Sequence, residues 1–141
     1  MTRLFNRRAA SALMLAPAAP AVGQSATPEA VMKRAFIMKR EAIAAGDQPY
    51  GAALAIAGRI VGESPSRVVT DRDPAAHAEN SVLRDALRRG VDLRGATLYS
   101  TSIPCAVCQT AAAKVGVSRM IYGEHLIDAG APRAGVAPLL D

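Results

Sequence analysis

Strand and helix patterns alternate most clearly in residues 96–123, ATLYSTSIPCAVCQTAAAKVGVSRMIYG. The apolar run at residues 96–100 predicts a strand, and residues 105–115 predict a helix that ends at a glycine. Residues 119–122 predict a second strand, which a further glycine ends. A strand, a helix and a strand normally form a right-handed crossover between parallel neighbours. The stretch therefore predicts an α/β fold.

The residues before this stretch continue the alternation. Residues 27–29, Thr-Pro-Glu, supply a hydroxyl cap, a proline at the first helical position and an acid in the first turn. Apolar residues at three- and four-residue spacing extend this helix to about residue 45. Residues 51–56 and 59–62 are apolar runs joined by Ala-Gly, which predicts a β-hairpin.

The remaining segments complete a mixed sheet with helices on both faces. Residues 64–73 predict a polar loop and residues 78–89 a helix. The apolar stripe predicted for this helix consists of Val82, Leu83 and Leu87. The pattern is weaker near the end of the chain, where residues 125–129 predict a short helix and residues 130–141 a tail rich in proline and glycine.

Length and composition predict one folded domain. The chain has 141 residues, of which 50% are apolar and 21% charged, enough apolar surface for one core. Two cysteines are too few for a disulfide scaffold. After the first thirty positions no apolar run approaches ~20 residues, so the folded part is not expected to span a membrane.

Residues 1–23 have the order of an export signal: three arginines, an uncharged stretch rich in alanine, and small residues at the cleavage point. The Arg7-Arg8 pair resembles a twin-arginine signal, which predicts a periplasmic or exported protein. The alternatives are a disordered leader, or translation that starts at Met14 or Met32, and a cytoplasmic location.

The charge of the chain depends on residues 1–23. Without this segment Lys plus Arg falls from 17 to 14 against 12 acidic residues, for a net charge of +2. This small charge argues against nucleic acid as a partner.

Two short motifs supply side chains that can bind a metal ion. Cys105 and Cys108 lie three residues apart at a predicted helix start, which puts both sulfurs on one helix face. Free backbone N–H groups at a helix start stabilise thiolates, the form that binds metal. With His77 they make three ligands that suit Zn²⁺ and leave a fourth position for water. Taken alone, the two cysteines are also typical of a redox pair or of core thiols.

Glu79 follows His77 by two residues, a spacing that would separate the two side chains on a regular helix. The helix is therefore predicted to begin near His77, so that both side chains leave its end turn toward a common point. A fourth protein ligand would close the metal site, which favours Glu79 as a proton carrier outside the ligand shell. Its predicted role is to pass a proton from the water at the metal to a ring nitrogen of the substrate.

His-x-Glu followed by Pro-Cys-x-x-Cys is the pattern of the zinc-dependent nucleobase deaminases. With residues 46–52, GDQPYGA, and 118–123, SRMIYG, it makes residues 29–130 resemble the cytidine deaminase superfamily, in the branch of guanine, cytosine and tRNA adenosine deaminases. The resemblance implies a three-layer α/β/α fold with a central mixed, roughly five-stranded sheet, a zinc-dependent deaminase domain over residues 24–141, and a homodimer.

The same resemblance assigns roles to single residues. It implies that zinc is bound by His77, Cys105 and Cys108, and that Glu79 is the general acid/base. The candidate substrate-binding residues are Tyr50, Ser66, Ala78 and Pro104. Family members usually have an asparagine at the position of Ser66 and a glutamate at the position of Ile103.

Three functions follow from these patterns. The first is a hydrolytic deaminase that converts an amino-substituted base, such as guanine, cytosine or a related small heterocycle, to the oxo form and releases ammonia. The second is a tRNA adenosine deaminase. The third, suggested by Ser66 and Ile103, is a zinc-binding protein on the same scaffold without catalytic activity.

Overall fold

The computed structural model describes residues 25–135, so the predicted leader, its boundary after residue 23 and the last six residues lie outside it. Within the described part, three helices alternate with five strands: α1 (Pro28–Ala44), β1 (Gly51–Ile56), β2 (Arg59–Pro65), α2 (Ala78–Arg88), β3 (Thr97–Ser100), α3 (Ala106–Lys114), β4 (Arg119–Tyr122) and β5 (Ile127–Gly130). None of these helices is long and apolar enough to cross a bilayer.

The five strands form one mixed sheet in the order β2-β1-β3-β4-β5. Strand β1 runs antiparallel to both β2 and β3, while β3 and β4 are parallel and β5 is antiparallel to β4. The parallel pair is joined through α3, as the sequence predicts. The predicted mixed, five-stranded sheet is confirmed.

The central strands β1 and β3 are buried on both faces of the sheet. Successive side chains of a strand point to opposite faces, and each face is covered by helices. On one face α1 packs against Ala53 and Ala55 of β1, with Tyr99 of β3. On the other face Ala52 and Leu54 belong to a cluster with the buried residues of α2 and α3. The three-layer α/β/α architecture is thereby confirmed.

Local signals explain where α1 and the hairpin begin and end. The side chain of Thr27 accepts a hydrogen bond from the backbone N–H of Ala30 at 3.2 Å, which satisfies one free donor of the first turn. The hairpin turns at Ala57 and Gly58, both with positive φ, the geometry of the tight turns that suit twisted strands. Strand β2 continues to Pro65, into the segment predicted as loop.

Two local predictions are wrong. Residues 125–129 form no helix, since β5 (Ile127–Gly130) pairs with β4 at the edge of the sheet. This strand is exposed and lacks the apolar alternation by which strands are identified from sequence. Leu87 is 46% exposed, because Ala86, not Leu87, faces the sheet in the last turn of α2.

Candidate metal centre and catalytic pocket

The starts of two helices bring the predicted metal ligands together. His77 is the N-cap residue of α2 and Cys105 the N-cap residue of α3, with Cys108 in the first turn of α3. His77 Nδ1 lies 3.6 Å from Cys105 Sγ and 3.5 Å from Cys108 Sγ. The ligand atoms of all three side chains lie within 4.8 Å of one another.

These distances fit a zinc ion. With Zn–S near 2.3 Å and Zn–N near 2.0 Å, a tetrahedral ion separates a nitrogen from a sulfur ligand by about 3.5 Å. One imidazole and two thiolates form a donor set typical of zinc, and three protein ligands leave one position for water. Burial, the neighbouring Glu79 and Cys105 raise the pKa of the Cys108 thiol far above its usual value. A bound cation opposes this shift, because a coordinating thiol is deprotonated.

Glu79 lies beside these ligands, in the first turn of α2. Its side chain is buried, at 5% exposure. Oε1 accepts a hydrogen bond from the hydroxyl of Ser100, and Oε2 lies 3.8 Å from Cys108 Sγ. The start of α2 at His77 is as predicted, and it places the carboxyl next to the metal ligands.

A pocket of about 270 Å³ opens above this group. Its lining consists of Gln48, Tyr50, His77, Glu79, Ser102, Ile103 and Cys105. At the rim, Tyr50 is 41% and Ile103 is 62% exposed. A ligand that entered from this side would reach the metal ligands and the carboxyl of Glu79 together.

Of the four predicted substrate contacts, the structure brings only Tyr50 into the pocket lining. Ser66 is buried, and its hydroxyl donates to Asp47 Oδ1 at 2.9 Å. Ala78 and Pro104 are also buried, and the Pro104 carbonyl accepts a hydrogen bond from Gln109 Nε2 at 2.9 Å. Substrate contacts at Ser66, Ala78 and Pro104 remain predictions, and these three residues lie outside the pocket lining.

Sequence reasoning missed several polar residues around the pocket. Gln48 and Ser102 line it, and Ser100 is the hydrogen-bond donor to Glu79. Their proximity to the family motifs could have identified them. Gln48 lies within GDQPYGA, and the two serines shortly precede the Pro-Cys-x-x-Cys motif.

Asp47 links the turn after α1 to the loop after β2. Its carboxylate accepts hydrogen bonds from the N–H groups of Gln48, Val69 and Thr70 and from the Ser66 hydroxyl. Burial raises the pKa of Asp47, but the hydrogen bonds led by Thr70 and Gln48 outweigh burial and lower this pKa to about 2. Asp47 is therefore a charged anchor for the turn that carries the pocket residues.

Comparison with known proteins agrees with this geometry. The model of the cytidine and deoxycytidylate deaminase zinc-binding region matches residues 25–124. A tRNA(Ile)-lysidine synthase of Thermus thermophilus is 40% identical over 103 residues, which cover 73% of this chain and 19% of that enzyme. The chain thus spans about a fifth of that relative. The tRNA-specific adenosine deaminase of Agrobacterium fabrum is 36% identical over 107 residues, 74% of this chain and 70% of the relative.

Solved structures of deaminases also resemble this chain. A guanine deaminase from Bacillus subtilis superposes with a TM-score of 0.64 at 32% identity, covering 69% of this chain and 64% of that one. A structure from a study of tRNA:A34 deaminases superposes with a TM-score of 0.62 at 35% identity, covering 65% and 72%.

The relatives overturn one sequence-based prediction. The expectation that nucleic acid is not a partner is wrong, because relatives that match most of the folded part are tRNA-specific adenosine deaminases. The prediction rested on the net charge of the chain without residues 1–23. Such a sum does not describe how the charge is distributed around the pocket.

The matched zinc-binding region includes all three metal ligands and Glu79. The chain belongs to the cytidine and deoxycytidylate deaminase family, and its three metal-ligand candidates lie within the zinc-binding region that defines that family.

Proposed function

We propose that this protein is a zinc-dependent hydrolytic deaminase that acts on adenosine in tRNA. The observation that carries the proposal is the placement of the buried Glu79 carboxyl beside three zinc ligands, at an open pocket. The choice of tRNA rests on the tRNA-specific adenosine deaminases among the relatives, one of which is matched over 70% of its length.

The reaction adds the oxygen of water to the ring carbon that carries the amino group and breaks the bond from this carbon to nitrogen. The products are the oxo form of the base and ammonia. His77, Cys105 and Cys108 would hold Zn²⁺, which when bound lowers the pKa of water toward ~7. Glu79 takes a proton from the attacking water, gives it to a ring nitrogen and assists the departure of the amino group.

The rim of the pocket suits a base presented by an RNA strand. A base inside a folded nucleic acid must leave its stack before it can enter a pocket of this kind. Tyr50 offers a half-exposed aromatic ring on which such a base can stack. Ile103 on the same rim is also exposed, so that it is accessible to the part of the strand that stays outside the pocket.

A free base is the second candidate substrate. A volume of about 270 Å³ is small for a binding pocket and holds one heterocycle. The superposition on a guanine deaminase favours this candidate as well. A free guanine or cytosine would use the same carboxyl and the same ligands.

The test compares both substrate classes with the zinc-loaded full chain. One assay follows inosine in tRNA transcripts with adenosine at the wobble position, and the other follows ammonia release from free guanine, cytosine and adenine. We expect inosine in the transcript, formed about 10²–10⁴-fold more slowly by the Glu79→Ala variant. Ammonia from free bases with an unchanged transcript would replace the proposal with the second candidate.

A further inference from the structure

Ser100 occupies a fixed position beneath the catalytic pocket. It is the last residue of β3, and its backbone pairs with Ala52 of β1 on one side and with Tyr122 of β4 on the other. Its side chain is fully buried, at 0% exposure. A buried hydroxyl without a partner is costly, and the partner of this one is Glu79 Oε1.

The two carboxylate oxygens of Glu79 consequently have different neighbours. Oε1 accepts the hydrogen bond from Ser100, while Oε2 lies 3.8 Å from Cys108 Sγ. Cys108 Sγ is in turn 3.5 Å from His77 Nδ1, so Oε2 is the oxygen on the side of the metal ligands. Ser100 and the ligand cluster lie at opposite ends of one carboxylate.

We propose that Ser100 is a positioning residue for the proton carrier. Its hydroxyl holds Oε1, so that Oε2 is the oxygen that exchanges protons with water and substrate. The terminal torsion of a glutamate is broad, and a hydrogen bond to a charged oxygen is strong enough to restrict it. The inference rests on the proposed hydrolytic deamination and adds a residue that no metal-ligand motif contains.

The kinetic test uses Ser100→Ala and Ser100→Thr, with Ser64→Ala as the matched control. Ser64 is also fully buried on a strand, but its hydroxyl donates to the carbonyl of Pro65. We expect Ser100→Ala to lower kcat by about 10–100-fold, as loss of a supporting hydrogen-bond partner does, with KM and zinc content nearly unchanged. Ser100→Thr keeps the hydroxyl and should recover most of kcat, while Ser64→Ala should leave kcat unchanged.

The Glu79→Ala background shows whether Ser100 acts through Glu79. There, Ser100→Ala should cause no further loss of kcat, since the group that it positions is gone. An unchanged kcat in the single variant, a change confined to KM, or an equal loss in both backgrounds would overturn the inference.

A second readout needs no substrate. Urea unfolding of the zinc-loaded proteins compares the double variant with the two single variants. The shift in midpoint of the Ser100→Ala, Glu79→Ala double variant should be smaller than the sum of the two single shifts, because both substitutions remove the same contact. Additive shifts would overturn the role of Ser100. A wild-type protein that deaminates nothing would defeat the proposed function alone, and the unfolding measurement would then decide this inference.

Discussion

Ser66 donates a hydrogen bond to Asp47 Oδ1 at 2.9 Å, although the two residues lie 19 positions apart. Asp47 Oδ2 accepts from the N–H groups of Val69 and Thr70 at 3.0 and 2.8 Å. The carboxylate therefore ties the turn before β1 to the loop after β2. Because Tyr50 lies three residues after Asp47, this tie also fixes one wall of the pocket.

The substitution Asp47→Asn tests this anchor. The amide has one acceptor oxygen and no charge, so it cannot replace all the hydrogen bonds to the carboxylate. We expect the free energy of unfolding at pH 7 to fall by about 1–3 kcal/mol. Urea denaturation of the zinc-loaded proteins measures the difference.

The pH dependence of this difference follows from the lowered pKa of Asp47. A folded-state pKa of about 2, against an ordinary aspartate pKa of 3.8, gives stability that is fully present above the unfolded-state pKa and lost as the pH falls through about 2. The difference between wild type and Asp47→Asn should therefore be constant from pH 8 to pH 5 and shrink only below about pH 4. A difference that already shrinks between pH 8 and pH 5 would contradict this origin.

Gly51→Ala should be severely destabilising. A Cβ atom at Gly51 would lie 2.1 Å from the carbonyl oxygen of Ala35 and 2.4 Å from the backbone nitrogen of Lys39. Since these are backbone atoms of α1, the helix would have to move away from the sheet. We expect a loss of at least about 3 kcal/mol in the free energy of unfolding.

The control for this substitution is Gly135→Ala, because a Cβ there meets only Thr110 Oγ1, at an ordinary 3.5 Å. Thermal unfolding should leave this variant near the wild type. Equal melting temperatures for both variants would show that α1 and β1 are not packed as described.

His77→Ala and Cys105→Ala should each lose bound zinc and part of the stability of the fold. Each substitution leaves only two of the three ligands. The free energy that zinc binding contributes to folding is then lost. The control is His125→Ala, which removes the other histidine of the chain, in the turn before β5. Metal analysis after gel filtration should find zinc in the control and wild type only, and full zinc content in Cys105→Ala would refute its role as a ligand.

Glu79→Ala should keep zinc and lose turnover. The carboxyl lies beside the ligands and is outside the three-residue cluster that can hold the ion. Loss of a general acid/base lowers kcat by about 10²–10⁴-fold. Equal kcat values for the variant and wild type, at equal zinc content, would exclude Glu79 as the proton carrier.

The sequence predicted those helices, turns and strands that depend on the spacing of neighbouring residues. The periodicity of α1, the turn at Ala57-Gly58 and the strand at Arg119–Tyr122 all follow from neighbouring residues. The three metal ligands could be named because both motifs sit at helix starts, where the chain geometry is predictable.

Contacts between distant segments could not be predicted in this way. Ser66 was named as a candidate substrate contact, and its hydrogen bond to Asp47, which lies in another loop, was not predicted. The bond from Ser100 to Glu79 joins residues 21 positions apart and depends on the order of the strands. Strand β5 escaped prediction because an exposed edge strand of four residues carries no alternating pattern.

X-ray absorption at the zinc edge tests the central claim most directly. The zinc-loaded protein should show two sulfur ligands near 2.3 Å and two lighter ligands near 2.0 Å, one an imidazole nitrogen and one a water oxygen. The Cys105→Ala variant should not give this spectrum. A wild-type protein that binds no zinc, or whose zinc has no sulfur ligand, would contradict the account.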